Sequence, residues 1–293
     1  TKFVFMPAGS DLTTWPFPFH SRRTRSRGRP DIAAAVVAFQ MRKGIRSASG
    51  IWGNPFVPFT LAAERLKCSL NYNLPQAINT EVFAPNDGDS SGRNRSEAVN
   101  IFHPTRMMFT PDPFLIEIGG WKRNDLLLKA FAKAVGRGVD ATLTLIDRPG
   151  SPDTDKAKVL IGELGVADRV QWLRSKTGSG FTWREMADLY RSSDVVADGF
   201  GGWLELVALE GASSGKPVMN FLPQDVMEFG YPGEHPFLQA SNEAEICDLI
   251  SALTDPDYRS LVGRSSREWI LAHHDNLIVA RNCEKKLKAI LSE

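Results

Sequence analysis

Cysteine is scarce: Cys68, Cys247 and Cys283 are odd in number and share no ligand-like spacing, which gives no support to a disulfide framework or a zinc knuckle. No apolar run approaches the roughly 20 residues that a bilayer-crossing helix needs, and no signal-peptide h-region opens the sequence. A reducing cytoplasm is the expected location. Charge of one sign is not in excess either, since 35 Lys and Arg meet 34 Asp and Glu; no global field selects a partner. Spaced histidine pairs are missing. His273 and His274 are adjacent, so on a helix they diverge by about 100 degrees and cannot share one metal. Ser10 and Asp11 lie in "PAGSDL" without the G-x-S-x-G context of a serine nucleophile. The one dense charge run is "SRRTRSRGR", with Arg22, Arg23, Arg25, Arg27 and Arg29. It reads first as a solvated loop and second as a contact for phosphate groups, an anionic membrane among them. Having no interleaved aromatics for stacking bases, it argues against a nucleic-acid partner.

What is present is a chain of 293 residues, 42% hydrophobic, long enough for two domains with real cores. From about residue 98 the pattern alternates strand and helix, as in a doubly wound parallel α/β sheet. Strands are expected at "AVNIFHPTR", "ATLTLID", "RVQWL", "DVVAD" and "KPVMNF", with helices at "KRNDLLLKAFAKAV", "DTDKAKVLIGELG" and "TWREMADLY" between the first four. Thr182 and Glu185 form a capping-box pattern. The tail is read as two amphipathic helices, "CDLISALTD" and "WILAHHDNLIVARNCEKKLKAIL". Before residue 85 the pattern offers a strand at "TKFVFMP", a helix at "DIAAAVVAFQMRKGIRSA", a short strand at "SGIWG" and a helix near "FTLAAERLK". Two strands do not make a sheet that buries both faces. The expected division is therefore a partial N-terminal domain over 1–85, a polar linker over 86–97 and a C-terminal domain over 98–293.

The stretch "GGWLELVALEGASSGKPVM" puts Glu205 and Glu210 in an apolar helix read as opening on Gly201 and Gly202. Gly215 suits a left-handed stop and Pro217 forbids the helix from resuming. Ala208, Gly211, Ala212, Ser213 and Ser214 surround Glu210 with little bulk, so a ligand or another backbone can approach it. The helix start, with accessible N–H groups and a positive dipole end, suits an anion.

The run "KRNDLLLKAF…LIGELGVADRVQWL…MADLYRSSDVVAD…LEGASSGKPV" resembles the C-terminal half of retaining glycosyltransferases of family 4, which adopt the two-domain GT-B fold. The resemblance covers about residues 98–291; "PAGSDL" and "LPQAINTEVFAP" look like the late N-terminal domain and the way into its linker. By that comparison about 100 residues of a complete N-terminal domain precede Thr1. The resemblance implies a nucleotide-sugar donor, a glycan, lipid or small-molecule acceptor, and neither cofactor nor metal. It places Glu210 on the donor ribose, where a carboxylate offers acceptor sites to a vicinal diol. It places Arg106 and Lys122 on the diphosphate, as catalytic cations that stabilise charge gained by the leaving group. Gly201 and Gly202 would lie beside the donor, Gly119 and Gly120 in "MMFTPDPFLIEIGGW" would line the cleft, and Ser10 and Asp11 would face the acceptor. Two positions depart from the family's pattern. Gly202 stands where the first glutamate of a spaced pair belongs, and Glu205 where a glycine belongs; at that place the side chain is expected to turn outward.

"DTD", Asp153 to Asp155, matches a short acidic metal motif of another glycosyltransferase fold, but its place at a helix start reads as capping. Glu205 and Glu210 stand about 140 degrees apart on a helix, which argues against a glycosidase-like carboxylate couple. The resulting expectation is a retaining, metal-independent, hexosyltransferase-like enzyme. The alternatives are a catalytically impaired GT-B-fold binding protein and a GT-B-fold sugar-nucleotide epimerase.

Overall fold

The computed structural model describes residues 2–6, 16, 25–26, 29–30, 32–52, 57–68, 75–86, 98–113, 116, 120–176, 178, 180–202, 204–224, 227–228 and 233–292. The early part contains β1 (Val4–Phe5), β2 (Arg25–Ser26), β3 (Arg29–Pro30), α1 (Ile32–Ser47), β4 (Gly50–Ile51) and α2 (Val57–Leu66). β1 pairs with β4 in parallel, and β2 with β3 antiparallel. The arginine run is thus corrected in part: read as a loop, it forms a short pairing at Arg25 and Arg29, while Arg22, Arg23 and Arg27 lie outside the described residues. Residues 87–97 of the expected linker lie outside them as well. α1 leaves Ile32, Val36, Val37 and Phe39 exposed.

The remainder is the doubly wound α/β sheet expected from the alternation. Its elements are β5 (Val99–His103), α3 (Asn124–Gly136), β6 (Ala141–Ile146), α4 (Pro152–Glu163), β7 (Val170–Leu173), α5 (Trp183–Ser192), β8 (Val195–Ala197), α6 (Leu206–Ser213), β9 (Val218–Asn220), β10 (Leu238–Gln239), α7 (Glu243–Ala252), α8 (Pro256–His273) and α9 (Asn276–Ser292). The strands run in the order β10-β9-β8-β5-β6-β7 and pair in parallel. "KPVMNF" does not close the series, because β10 adds a strand beyond β9. Two residues with no apolar alternation left no strand signal there.

Both faces of the sheet are covered, which explains the nearly continuous apolar strands. Val99 and Ile101 of β5, with Val195 and Ala197 of β8, pack under α3, α4 and α7. The intervening Phe102 and Val196 face α5, α6 and α8, in a cluster that also takes Ile45, Leu66, Ile78 and Phe83 from the earlier part of the chain. Local signals set the helix ends. Thr182 and Glu185 form the full capping box of α5, and Gly215 stops α6 at φ 71°.

The tail differs from its reading. The periodic stretch from Trp269 breaks between α8 and α9, because the chain at Ile78 pairs with it there: Ile78 N–H donates to His274 O (2.7 Å) and Asn276 N–H to Ile78 O (3.1 Å). Asp275 then accepts from Thr80 Oγ1 (2.6 Å) and from Leu277 N (3.0 Å), which starts α9.

Small residues make two close approaches. A Cβ on Gly211 would stand 2.9 Å from the Val196 methyl groups, so α6 lies directly on β8. A Cβ on Gly263 would stand 2.2 Å from Gly215 O, where α8 crosses the end of α6. Gly263→Ala should therefore destabilise the chain by about 1–3 kcal/mol in denaturant unfolding. Gly162→Ala in α4, where the added carbon meets nothing within 4 Å, should be neutral or stabilising by up to about 1 kcal/mol.

Candidate functional site

From β5 the chain winds through β6 and β7 on one side, then returns to lay β8 on the other. The connections after β5 and β8 consequently diverge and leave a crevice at the carboxyl ends of the strands, where open α/β sheets bind ligands. His103 ends β5 at this point and is fully buried. Its Nδ1 lies 2.8 Å from Ala197 O, which can only accept, so Nδ1 carries the proton. Nε2 then accepts from Asn124 Nδ2 (2.8 Å), and Asn124 Oδ1 accepts from Met108 N (2.8 Å). Burial lowers the imidazole to about 4, against a smaller opposing effect of its bond to Ala197. The ring is therefore neutral near pH 7, as this pattern requires. It ties β5, β8, α3 and the segment after Arg106 together.

A cavity of about 770 Å³ opens at this edge, with Arg106, Asp147, Arg148, Arg174, Tyr190 and Glu210 among its walls. Arg106, exposed, follows β5; Arg148, which donates to Pro104 O (3.3 Å), follows β6. Burial, and then the neighbouring Arg106 charge, lower the Arg148 guanidinium; both residues line the cavity. Asp147 accepts from Lys158 (2.9 Å) and Arg174 (2.6 Å). Glu210, in α6, also lines the cavity and accepts from Tyr190 Oη at Oε2 (2.9 Å). Tyr190 is itself buried edge-on between the rings of Phe83 and Phe102. Burial pushes Glu210 up to about 7, partly offset by the tyrosine hydrogen bond. Two of the sequence-derived residues, Arg106 and Glu210, thus face one cavity.

Lys122, Gly201, Gly202 and Gly120 are not in its walls. They form a neighbouring cluster. Lys122 stands two residues before α3, between a donated bond to Met108 O (3.0 Å) and a carbonyl that accepts from Phe200 N (2.8 Å). Its ammonium contacts both carboxylate oxygens of Glu205. The expected outward turn of Glu205 is therefore wrong: the residue is the N-cap of α6, not a position inside it, and its side chain turns back to the lysine. The paired glycines do not open the helix either, since α6 begins at Leu206. A Cβ on Gly201 would fall 1.7 Å from Trp121 O, and Gly202 has φ 93°; both glycines permit a tight backbone passage. Asp198, fully buried below them, accepts from Thr105 Oγ1 (2.8 Å) and Glu205 N (3.3 Å). Burial first, then the Glu205 charge, raise it to about 7.

Asp153 does not cap its own helix. It accepts from Phe109 N (2.9 Å) and Thr110 N (3.0 Å), anchoring the segment after β5, while Ser151 stands at the N-cap of α4. Gly119, Ser10 and Asp11 lie outside the described residues. Sequence reading missed Arg148, Tyr190, His103, Asn124 and Asp198. Arg148 had a signal, since it follows a strand's carboxyl end as Arg106 does. The others depend on partners 20 or more residues away.

Glu210 generates a pH prediction. Its folded pKa lies above the ordinary carboxyl value, so between about 4.5 and about 7 the native chain holds a proton that the unfolded chain has released. That contribution is complete below 4.5 and disappears as pH rises through 7. Relative to Glu210→Gln, the ligand-free wild type should lose roughly 1–3 kcal/mol between pH 5 and pH 8 in denaturant titrations. A pH-independent difference would contradict the placement.

No protein-family model and no curated protein matches the sequence. Solved structures do match in fold. HepE from Anabaena, in complex with UDP, superposes with a TM-score of 0.65 at 16% identity, over 99% of this chain and 72% of that one. Sucrose-phosphate synthase from Thermosynechococcus elongatus gives 0.63 at 15%, over 99% and 68%, and a glycosyltransferase from Rickettsia africae 0.61 at 17%, over 90% and 68%. The chain has the parallel α/β architecture of GT-B glycosyltransferases.

Proposed function

We propose that the chain is a hexosyltransferase-like enzyme, moving a sugar from a nucleotide-sugar donor to an acceptor hydroxyl with retention of configuration. The observation that carries this reading is one cavity at the strand switch point lined by Arg106, Arg148 and the Glu210 carboxylate. HepE has been solved with UDP-glucose as well as with UDP, which supports a uridine nucleotide as the first donor to test. Glu210 would take the ribose diol, with Tyr190 fixing one of its oxygens. Arg106 and Arg148, joined by Lys122, would meet the diphosphate and do the work of a metal ion. As the bond from the anomeric carbon to the phosphate oxygen breaks, its electron pair stays with the leaving diphosphate, whose growing charge the fixed cations stabilise. The acceptor oxygen bonds to the same face, and its proton passes to the departing phosphate. No protein nucleophile is needed.

The acceptor is a glycan, a lipid or a small molecule, with Ser10 and Asp11 as its proposed contacts. Contact of Arg22–Arg29 with an anionic membrane would suit a lipid acceptor; among the described residues no helix is long and apolar enough to cross one. The ion pair that occupies Lys122 favours a second reading, a chain that binds the donor without turnover. Incubation with UDP-sugars and mass analysis of products decides between them. In an active preparation, Arg106→Ala should lower kcat by about a hundredfold with a smaller loss of uridine binding. Unchanged turnover would remove Arg106 from the site.

A further inference from the structure

Lys122 and Glu205 come from segments that the backbone has already fixed. Lys122 is held at both N–H and C=O, and the Glu205 N–H points to Asp198. Only the two side chains are free to rearrange. They form a two-oxygen contact at 17% and 19% exposure, so the pair is mostly withdrawn from water yet still within reach of a ligand. Glu205 gives up the usual task of an N-cap for this contact, since its side chain makes no capping hydrogen bond to α6. It also stands above a second carboxylate, Asp198, which is buried with only neutral donors around it in Thr105 and the backbone. One ammonium thus serves a pair of neighbouring acids. Glu205 is held by Lys122 on one side and lies against the Asp198 carboxylate, which accepts its backbone N–H, on the other.

We propose, building on the donor reading above, that Glu205 is an internal competitor for the phosphate-binding cation. Its carboxylate occupies Lys122 in the ligand-free chain and yields it to the diphosphate of the donor. A nucleoside without phosphates has nothing to offer Lys122 and leaves the pair closed. A diphosphate carries more charge than a single carboxylate and takes the lysine, at the cost of releasing Glu205. The residue therefore sets how strongly the site distinguishes diphosphate ligands from bare nucleosides.

The test is calorimetric titration of UDP and of uridine into the wild type, Glu205→Gln, Lys122→Ala and the double variant. Glutamine preserves shape while removing the competing charge. Glu205→Gln should bind UDP about tenfold more tightly, in line with coupling between close charge pairs, and uridine with unchanged affinity. In the Lys122→Ala background the same substitution should gain nothing, because no cation remains to be released. A gain that persists there would overturn the competitor role in favour of direct repulsion between Glu205 and the phosphates. Equal UDP affinity in wild type and Glu205→Gln would overturn the competitor role while leaving the donor reading intact. Failure of every variant to bind either ligand would overturn both.

Discussion

The site depends on one buried imidazole. His103 sits where β5 ends, with one nitrogen on the carbonyl of Ala197 in β8 and the other on Asn124 at the start of α3. An apolar side chain here would leave the Asn124 amide without its acceptor in the interior, which typically costs 1–3 kcal/mol or so. A charged imidazolium would still donate to Ala197 O but would leave the Asn124 amide facing a group that cannot accept. A neutral histidine satisfies both, and burial keeps it neutral. Through Asn124 and Met108 the same network fixes the path of the chain after Arg106. The opening between β5 and β8 is thus held at a set width by hydrogen bonds that lie beneath it.

Above that seam the charges divide into two groups. Arg106 and Arg148 line the cavity, while Lys122, Glu205 and Asp198, none of them in its lining, form a second cluster. Glu210 and Asp198 are both raised to about 7 by burial. Desolvated carboxylates of this kind reduce stability near neutral pH, and such costs concentrate where binding or chemistry needs the group. Glu210 lines the same cavity as the arginines. Asp198 does not; it receives the backbone of Glu205 and so sets the position from which that residue reaches Lys122.

The sheet was legible because its evidence is local. β5 to β9 are apolar runs separated by amphipathic helices, and the capping box at Thr182 and the stop at Gly215 involve residues within one turn of each other. β10 was not legible, since Leu238–Gln239 is a strand only because β9 lies beside it. The break before Asn276 likewise comes from Ile78, almost two hundred positions earlier in the chain. At the site, Arg106 and Glu210 are picked out by the family resemblance, with their places at a strand end and on a helix among small residues in support. The direction of Glu205 could not be read in this way. It follows from where α6 begins, at Leu206, which leaves Glu205 at the N-cap.

A crystal structure of the chain grown with UDP tests the central claim most directly. The account predicts the ribose hydroxyls within hydrogen-bonding distance of the Glu210 carboxylate and the phosphates against Arg106 and Arg148 at the carboxyl edge of the sheet. Nucleotide bound at any other place, or in this cavity with Glu210 turned away from the ribose, would contradict it.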